Sequence, residues 1–266
     1  LYVLFASLSD PALFMKYDKL MWAPVGFTLK SYYHVFQNPM ILLGYKNTFI
    51  VLVEGVAVNM LMTILAAYVL SRGNFPGRNF MMFFAVFTMF FSGGMIPTYL
   101  AVREYGLYNS LWALVIPGAI STYNLIIMRT SFSSIPDSLE ESARIDGAKE
   151  FTILFKIVIP LSLPVIAVMI LFYGVGHWNS WFSALIYLRK RELYPLQLIL
   201  REVLILSEID VSMIASVRME EIEAREGIKE LLKYSLIVAA SLPVLCMYPF
   251  VQKYFVKGVM IGAIKG

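Results

Sequence analysis

Glu141-Ser142-Ala143-Arg144-Ile145-Asp146-Gly147-Ala148, followed after a nine-residue gap from Gly147 by Ile157-Val158-Ile159-Pro160, is a polar, gapped stretch set between two long apolar runs. What flanks it decides the fold. Asn79 to Val102, Tyr105 to Met128, Ile157 to Leu188 and Tyr234 to Gln252 carry no Asp, Glu, Lys or Arg, and each exceeds or approaches the roughly 20 residues a helix needs to cross a hydrocarbon core. A fifth run, Asn47 to Ser71, is broken once, by Glu54. Leu1 to Ser9 is apolar but too short to span, and with no initiator Met it reads as the outer end of a first helix that begins upstream. The absence of a basic n-region and of a small-residue cleavage site argues against a signal peptide.

Composition agrees with lipid as the solvent. With 59% hydrophobic and 15% charged residues and a mean hydropathy of +0.71, a soluble domain would have to expose too much apolar surface. Barrel strands would show about ten-residue alternation instead of continuous runs. The expected fold is therefore an all-α membrane protein, a six-span helical bundle forming a single domain over residues 1–266. Its spans lie near 1–9 (partial), 47–71, 79–102, 105–128, 157–188 and 234–252, with a polar loop at 132–157. The long connections Asp10 to Lys46 and Arg189 to Lys233 are expected to hold interfacial or amphipathic helices, since Ile205, Ile209, Met213, Ile222 and Ile228 fall loosely on one face. The short loop Arg72 to Arg78 has two Arg and no acid, against one of each at Arg103-Glu104, which mildly favours Gly147 on the cytoplasmic side, although that orientation puts thirteen of the 22 Lys and Arg outside, many in the two long connections where the rule is weakest.

Local physics gives the polar loop a shape. Ser138 with Glu141, or Asp137 with Glu140, has capping-box spacing, so a helix starts here. It runs about two turns to Asp146-Gly147, where glycine permits the positive φ that ends a helix. A second helix follows from Ala148, with Phe151, Leu154, Phe155 and Val158 at helical spacing and Pro160 and Pro164 bending it into the next span.

This pattern resembles the EAA signature of permease subunits of binding-protein-dependent ATP-binding-cassette importers: Glu, two small residues, a gap, Gly, a longer gap, then Ile, a branched aliphatic and Pro. Here the places are filled by Glu141, Ser142, Ala143, Gly147, Ile157, Ile159 and Pro160, with Ser142 for Ala and Ile159 for Leu as mild departures. The flanks are similar to the carbohydrate-uptake branch: Asn124 to Arg129, Ile135-Pro136, Ile145 to Ala148, Trp178-Asn179 and the tail from Phe255. Gly176 to Trp181 and Tyr194 to Leu198 look most like importers of oligosaccharides and polysaccharides, alginate-type importers included.

The resemblance implies the type I importer fold and a mechanism. Glu140, Glu141, Ser142, Ala143, Asp146, Gly147, Ala148, Ile157 and Pro160 would couple the chain to a cytosolic ATPase dimer, whose closure on ATP moves the loop and rocks the spans between inward- and outward-open states. It also implies a second permease as heterodimer partner, an extracytoplasmic solute-binding protein, a carbohydrate substrate and a bacterial cytoplasmic (inner) membrane location. ATP and Mg would sit on the ATPase, since this chain has no G-x-x-x-x-G-K-[ST] loop. It is expected to be a transport subunit, not an enzyme, and to bind no cofactor itself.

Sugar paths combine aromatic faces with hydrogen-bonding groups, because a pyranose offers both apolar C–H patches and hydroxyls. Tyr173, His177, Trp178, Asn179, Ser180 and Trp181 supply such a set, with Tyr173, His177 and Trp181 four apart on one helical face. Trp and Tyr also gather at membrane interfaces, and His and Asn also bond neighbouring helices. Glu54, seven residues into its expected span, should face protein or water or lie near the outer interface. Ser92-Gly93-Gly94 and Pro97 either let helices approach closely or break one. Arg189-Lys190-Arg191 could steer an anionic saccharide or anchor a helix end.

Other classes find little support. Cys246 and the two His lie in separate segments, so no metal cluster and no catalytic constellation is expected. The net charge of +4 is spread over membrane ends, which sets nucleic acid aside. A self-sufficient secondary transporter or channel would show inverted repeats and buried ion-coupling carboxylates, whereas only Glu54 lies inside a span. A membrane-embedded enzyme would need clustered catalytic groups that His177 alone does not provide.

Overall fold

The computed structural model describes residues 1–17, 21–73, 75–209 and 231–246, and among these every regular element is helical. In chain order the α-helices are α1 (Tyr2–Ser7), α2 (Pro11–Phe14), α3 (Lys30–Gln37), α4 (Pro39–Ser71), α5 (Arg78–Phe90), α6 (Met95–Glu104), α7 (Thr122–Ser133), α8 (Asp137–Ile145), α9 (Glu150–Ile153), α10 (Ile159–Leu161), α11 (Leu163–Trp178), α12 (Trp181–Tyr187), α13 (Leu196–Ile209) and α14 (Leu231–Cys246). Met213, Ile222, Ile228, the end of the expected last span and the tail from Phe255 lie outside the described residues. The described residues divide into two compact units, one holding Leu1–Phe49 with 179–209 and 231–246, the other Ile50–Trp178.

In the first unit, Ala6, Phe14, Met21 and Leu231 form a small apolar core. Buried polar groups join its pieces. Ser9 Oγ accepts from the Val25 N–H at 3.0 Å, and Asn47 Nδ2 donates to the Glu192 and Tyr194 carbonyls at 2.7 and 3.1 Å. Thr48 Oγ1 accepts from the Leu196 N–H at 2.9 Å, giving the first residue of α13 a partner that the helix itself cannot offer.

Helix α4 starts eight residues before the expected span because Asn38-Pro39 is a helix start: Asn38 Oδ1 accepts from the Met40 N–H at 3.0 Å, and Pro occupies the first helical position, where no N–H is needed. At 33 residues, α4 is the one described helix long and apolar enough to cross a membrane unaided. Its length also moves Glu54, which is half-buried near the helix midpoint rather than near its end.

The second unit packs α4 against α7, the π-helical turn Leu154–Val158 and α11. Phe132, Met128, Ile153, Leu154, Met169 and Val158 are fully buried there. The apolar runs expected at 79–102, 105–128 and 157–188 are not single straight helices. α5 and α6 meet at 116°, and Leu111–Gly118 meets α7 at 52°. Glu150–Leu161 meets α11 at 84°, and a further break at Asn179-Ser180 separates α11 from α12. The first bend is a glycine break: Gly94 takes φ 83° with ψ −180°, a region open to glycine almost alone. The last follows Pro160 and precedes Pro164, each of which removes a helical donor.

The stripe predicted after Ala148 splits. Leu154 and Val158 are buried, but Phe151 is 69% and Phe155 57% exposed. The π-helical turn adds a residue per turn there, so the i, i+4 spacing that would have aligned all four no longer does.

Candidate functional site

Helix α8 is short, amphipathic and closed at its C-terminus by backbone alone. The Ala148 N–H donates to the Ala143 carbonyl at 2.9 Å and the Gly147 N–H to the Arg144 carbonyl at 3.0 Å, the paired bonds of a Schellman stop. That stop requires its glycine: Gly147 sits at φ 80°, where an L side chain costs about 1–2 kcal/mol. A Cβ there would meet nothing within 4 Å, so the demand is conformational and not steric.

The N-terminus differs from the capping box expected. Pro136 is the N-cap, and no side-chain cap bond forms. Asp137 and Ser138 are already helical, the Ser142 hydroxyl donates to the Ser138 carbonyl at 2.8 Å, and Glu140 is turned inward, leaving 3% of its side chain exposed.

The reason lies at the end of α4. Arg72 Nη2 is 2.5 Å from Glu140 Oε1, and the Arg72 guanidinium lies 4.8 Å over the Tyr68 ring. Neither Arg72 Nε and Nη2 nor Glu140 Oε1 makes an aligned hydrogen bond, so charge and not direction holds this pair. Arg144 Nη2 lies 3.8 Å from Glu140 Oε2 and 3.0 Å from Glu150 Oε1. The Tyr68 hydroxyl donates to Glu150 Oε2 at 2.6 Å. Burial raises the Glu140 pKa above its ordinary value, with Arg72 and Arg144 pulling the other way. From α7, Arg129 Nε donates to the Leu70 carbonyl at 2.9 Å, closing one of the last carbonyls of α4. Beside the cluster a cavity of about 660 Å³ opens among Leu65, Tyr68, Arg72, Phe75, Arg144 and Phe151.

The expected coupling residues thus divide by face. Glu141, Ser142, Asp146 and Gly147 are exposed, Ala143 and Ala148 are half-buried against the core, and Glu140 is buried. Ile157 is half-buried and Pro160 exposed. Ile145 is 86% exposed, and with Leu139, Phe151 and Phe155 it adds apolar surface beside Glu141. Tyr68, Arg72, Arg144 and Glu150 were not singled out from the sequence; the one signal was the unopposed Arg pair in the loop after α4.

The substrate-path candidates divide too. In the second unit, Tyr173 and Trp178 are buried. The Tyr173 hydroxyl shares a 2.7 Å hydrogen bond with Thr63 Oγ1 and accepts from the Ser121 N–H at 3.1 Å. His177 Nε2 is 2.6 Å from Asn59 Oδ1, an atom that only accepts, so Nε2 carries a proton. Asn59 Nδ2 donates to the Gly118 and Ala119 carbonyls at 2.7 and 2.9 Å. Tyr173, His177 and Asn59 therefore serve the backbone freed where the helix breaks before α7. In the first unit, Asn179 and Trp181 are exposed, Ser180 is the N-cap residue of α12, and Arg201 lies 5.0 Å over the Trp181 ring. Among the described residues no metal-ligating cluster occurs.

Residues 59–261 match the family described as "Binding-protein-dependent transport system inner membrane component", and the chain belongs to that family. It is 44% identical over 251 residues, 93% of this chain and 85% of the relative, to the polygalacturonan/rhamnogalacturonan transport system permease protein YtcP of Bacillus subtilis (strain 168). To the protein LplC of the same organism it is 43% identical over 243 residues, covering 91% and 81%. Among solved structures, a bacterial ABC transporter involved in the import of the acidic polysaccharide alginate matches with a TM-score of 0.85 and 33% identity, covering 96% of this chain and 89% of the other. The fold is that of an ABC importer permease.

Proposed function

We propose that this chain is one of two permease subunits of an ATP-driven importer in a bacterial cytoplasmic membrane, which it crosses several times, and that it carries an oligo- or polysaccharide into the cytoplasm. The loop holding α8 faces the cytoplasm, and α8 docks in a cleft of an ATP-binding-cassette ATPase dimer. ATP and Mg belong to that dimer, and this chain holds no cofactor. An extracytoplasmic binding protein delivers the solute to the opposite side.

One observation carries this reading. α8 is stopped by Gly147 and anchored through Glu140, so Glu141, Ser142, Ile145 and Asp146 stand outward on a rigid two-turn helix. A surface that combines a carboxylate, a small residue and an exposed isoleucine suits a protein cleft better than water. The relatives' names support a saccharide as solute, and the alginate importer supports an acidic one. Asn179 and Trp181, with exposed polar and aromatic surface, are the sugar contacts we favour, while Tyr173 and His177 hold the helix break. In the basic cluster Arg189-Lys190-Arg191, Arg191 is paired with Glu202 at 2.8 Å.

Affinity purification in mild detergent with mass spectrometry tests the partners: an ATPase chain and a second permease should co-purify. In the reconstituted complex, Gly147→Trp should stay in the membrane but lose substrate-stimulated ATP hydrolysis and uptake. Normal values for both, or solute transport by vesicles holding this chain alone, would overturn the reading.

A further inference from the structure

Where the loop meets the end of α4, Ala143 and Ala148 pack on the core that holds Ala67, Tyr68 and Leu70, and charged side chains add a second kind of contact. The 660 Å³ cavity lies where α4 faces the α8–α9 turn, and the charged contacts stand around its rim. These are Arg72 with Glu140, Tyr68 with Glu150, and Arg144 between the two carboxylates. They are unequal. Arg144 is 44% and Glu150 58% exposed, whereas Arg72 is 15% and Glu140 3% exposed, so water screens the outer pair and not the inner one. The inner pair also joins different things. Arg72 directly follows the last residue of α4, and Glu140 is buried on α8 next to exposed Glu141.

A load applied to the outer face of α8 can reach α4 by few routes. Ile135 and Ile153, at either side of α8, are packed in the core with α7, and they hold the loop's base. The helix between them touches that core through Ala143 and reaches the end of α4 by the buried ion pair of Glu140. The Arg72–Glu140 contact is an ion pair shielded from water, so pulling α8 away from α4 would leave a buried charge without its partner, which resists separation.

We propose that Arg72 and Glu140 form the joint through which α8 drives α4, so that Arg72 is a positioning residue for coupling although it belongs to no part of the docking signature. The proposal rests on the reading of α8 as the docking helix. Breaking the joint leaves α8 able to engage the ATPase but unable to move the long helix with it. Hydrolysis then continues while transport fails.

The test uses the complete transporter, with its partner chains, reconstituted in vesicles, and measures solute moved per ATP hydrolysed. Arg72→Gln and Glu140→Gln should each lower that ratio by about tenfold, the upper part of the range for coupling residues, while hydrolysis stays within about twofold and the ATPase still co-purifies. The exchange R72E/E140R keeps opposite charges at the same places and should recover most of the ratio. Equal loss of hydrolysis and transport in the single variants would overturn the joint. So would an assembled exchange variant that is no better coupled than the singles. Failure of the docking reading looks different: Gly147→Trp would stay coupled while Arg72→Gln does not.

Discussion

Midway along α4, Asn59 and Thr63 hold a broken helix with neutral hydrogen bonds; just beyond its end, Arg72 holds α8 with a charge. Both places solve the same problem, a helix interrupted beside α4, and the chemistry follows the solvent. In a hydrocarbon environment the Gly118, Ala119 and Ser121 backbone groups must find partners within the protein, and amides and hydroxyls do this at far lower desolvation cost than ions. Beyond the end of α4 only the outer ions, Arg144 and Glu150, reach water, while the Arg72–Glu140 pair is buried and carries its desolvation cost. The neutral site fixes a shape, and the charged site transmits a displacement.

The largest expected effect breaks the neutral side. Asn59 is fully buried, and Asn59→Leu would orphan two carbonyls and the His177 N–H together. Each unsatisfied group costs about 1–3 kcal/mol, reduced where membrane partners rearrange, so a loss of about 3 kcal/mol is expected in unfolding from mixed micelles. A loss near zero would mean that the break before α7 is held by packing alone.

A smaller effect sharpens the same side by geometry. A Cβ on Gly55 would lie 2.6 Å from His177 Cε1 and 2.7 Å from Cδ2, so Gly55→Ala must push the ring off Asn59. Overpacking of this kind costs about 1–3 kcal/mol. In a chain that already carries His177→Ala, the same change should cost less than half as much, because the ring it collides with is gone. Additive losses in this cycle would show that Gly55 and His177 do not compete for one space.

How much of this was legible in the sequence differs between the two places. The Gly147 stop could be read directly, because a Schellman turn is local and its glycine has a conformational cause. The inward turn of Glu140 could not, since its partner Arg72 is distant in sequence and a local capping box competes for the same carboxylate. The helix breaks were half legible: Gly94 and the prolines mark them, but an uncharged run reports which solvent surrounds a segment and not its direction. That is why the bends within 79–102, 105–128 and 157–188 could not be read from the runs themselves. The start of α4 was present in Asn38-Pro39, yet Lys46 cut the apolar run short and displaced Glu54 toward an apparent end. Tyr173 and His177 looked like a sugar-binding face because the spacing is right; their hydroxyl and imidazole are taken up by backbone and Asn59 that no spacing rule points to.

The smallest effect probes the charged side through pH. Glu140 faces Arg72 and Arg144, which favour its ionised form, and Asp137 and Glu150, which with burial favour the protonated form; burial is the largest of these, and the folded pKa is raised. A raised folded pKa means that, just above the ordinary carboxylate value, the folded chain holds a proton that the unfolded chain has released. Stability from this group therefore falls as pH rises through that window and recovers on acidification. Glu140→Gln removes the titration, so the difference in unfolding free energy between the native chain and the variant should shift in favour of the native chain as pH is lowered through the mildly acidic range. The opposite slope would mean that the attraction of Arg72 outweighs burial, making the joint a strong ion pair that acid opens, and parallel curves would mean that Glu140 is as well solvated in the folded chain as in the unfolded one.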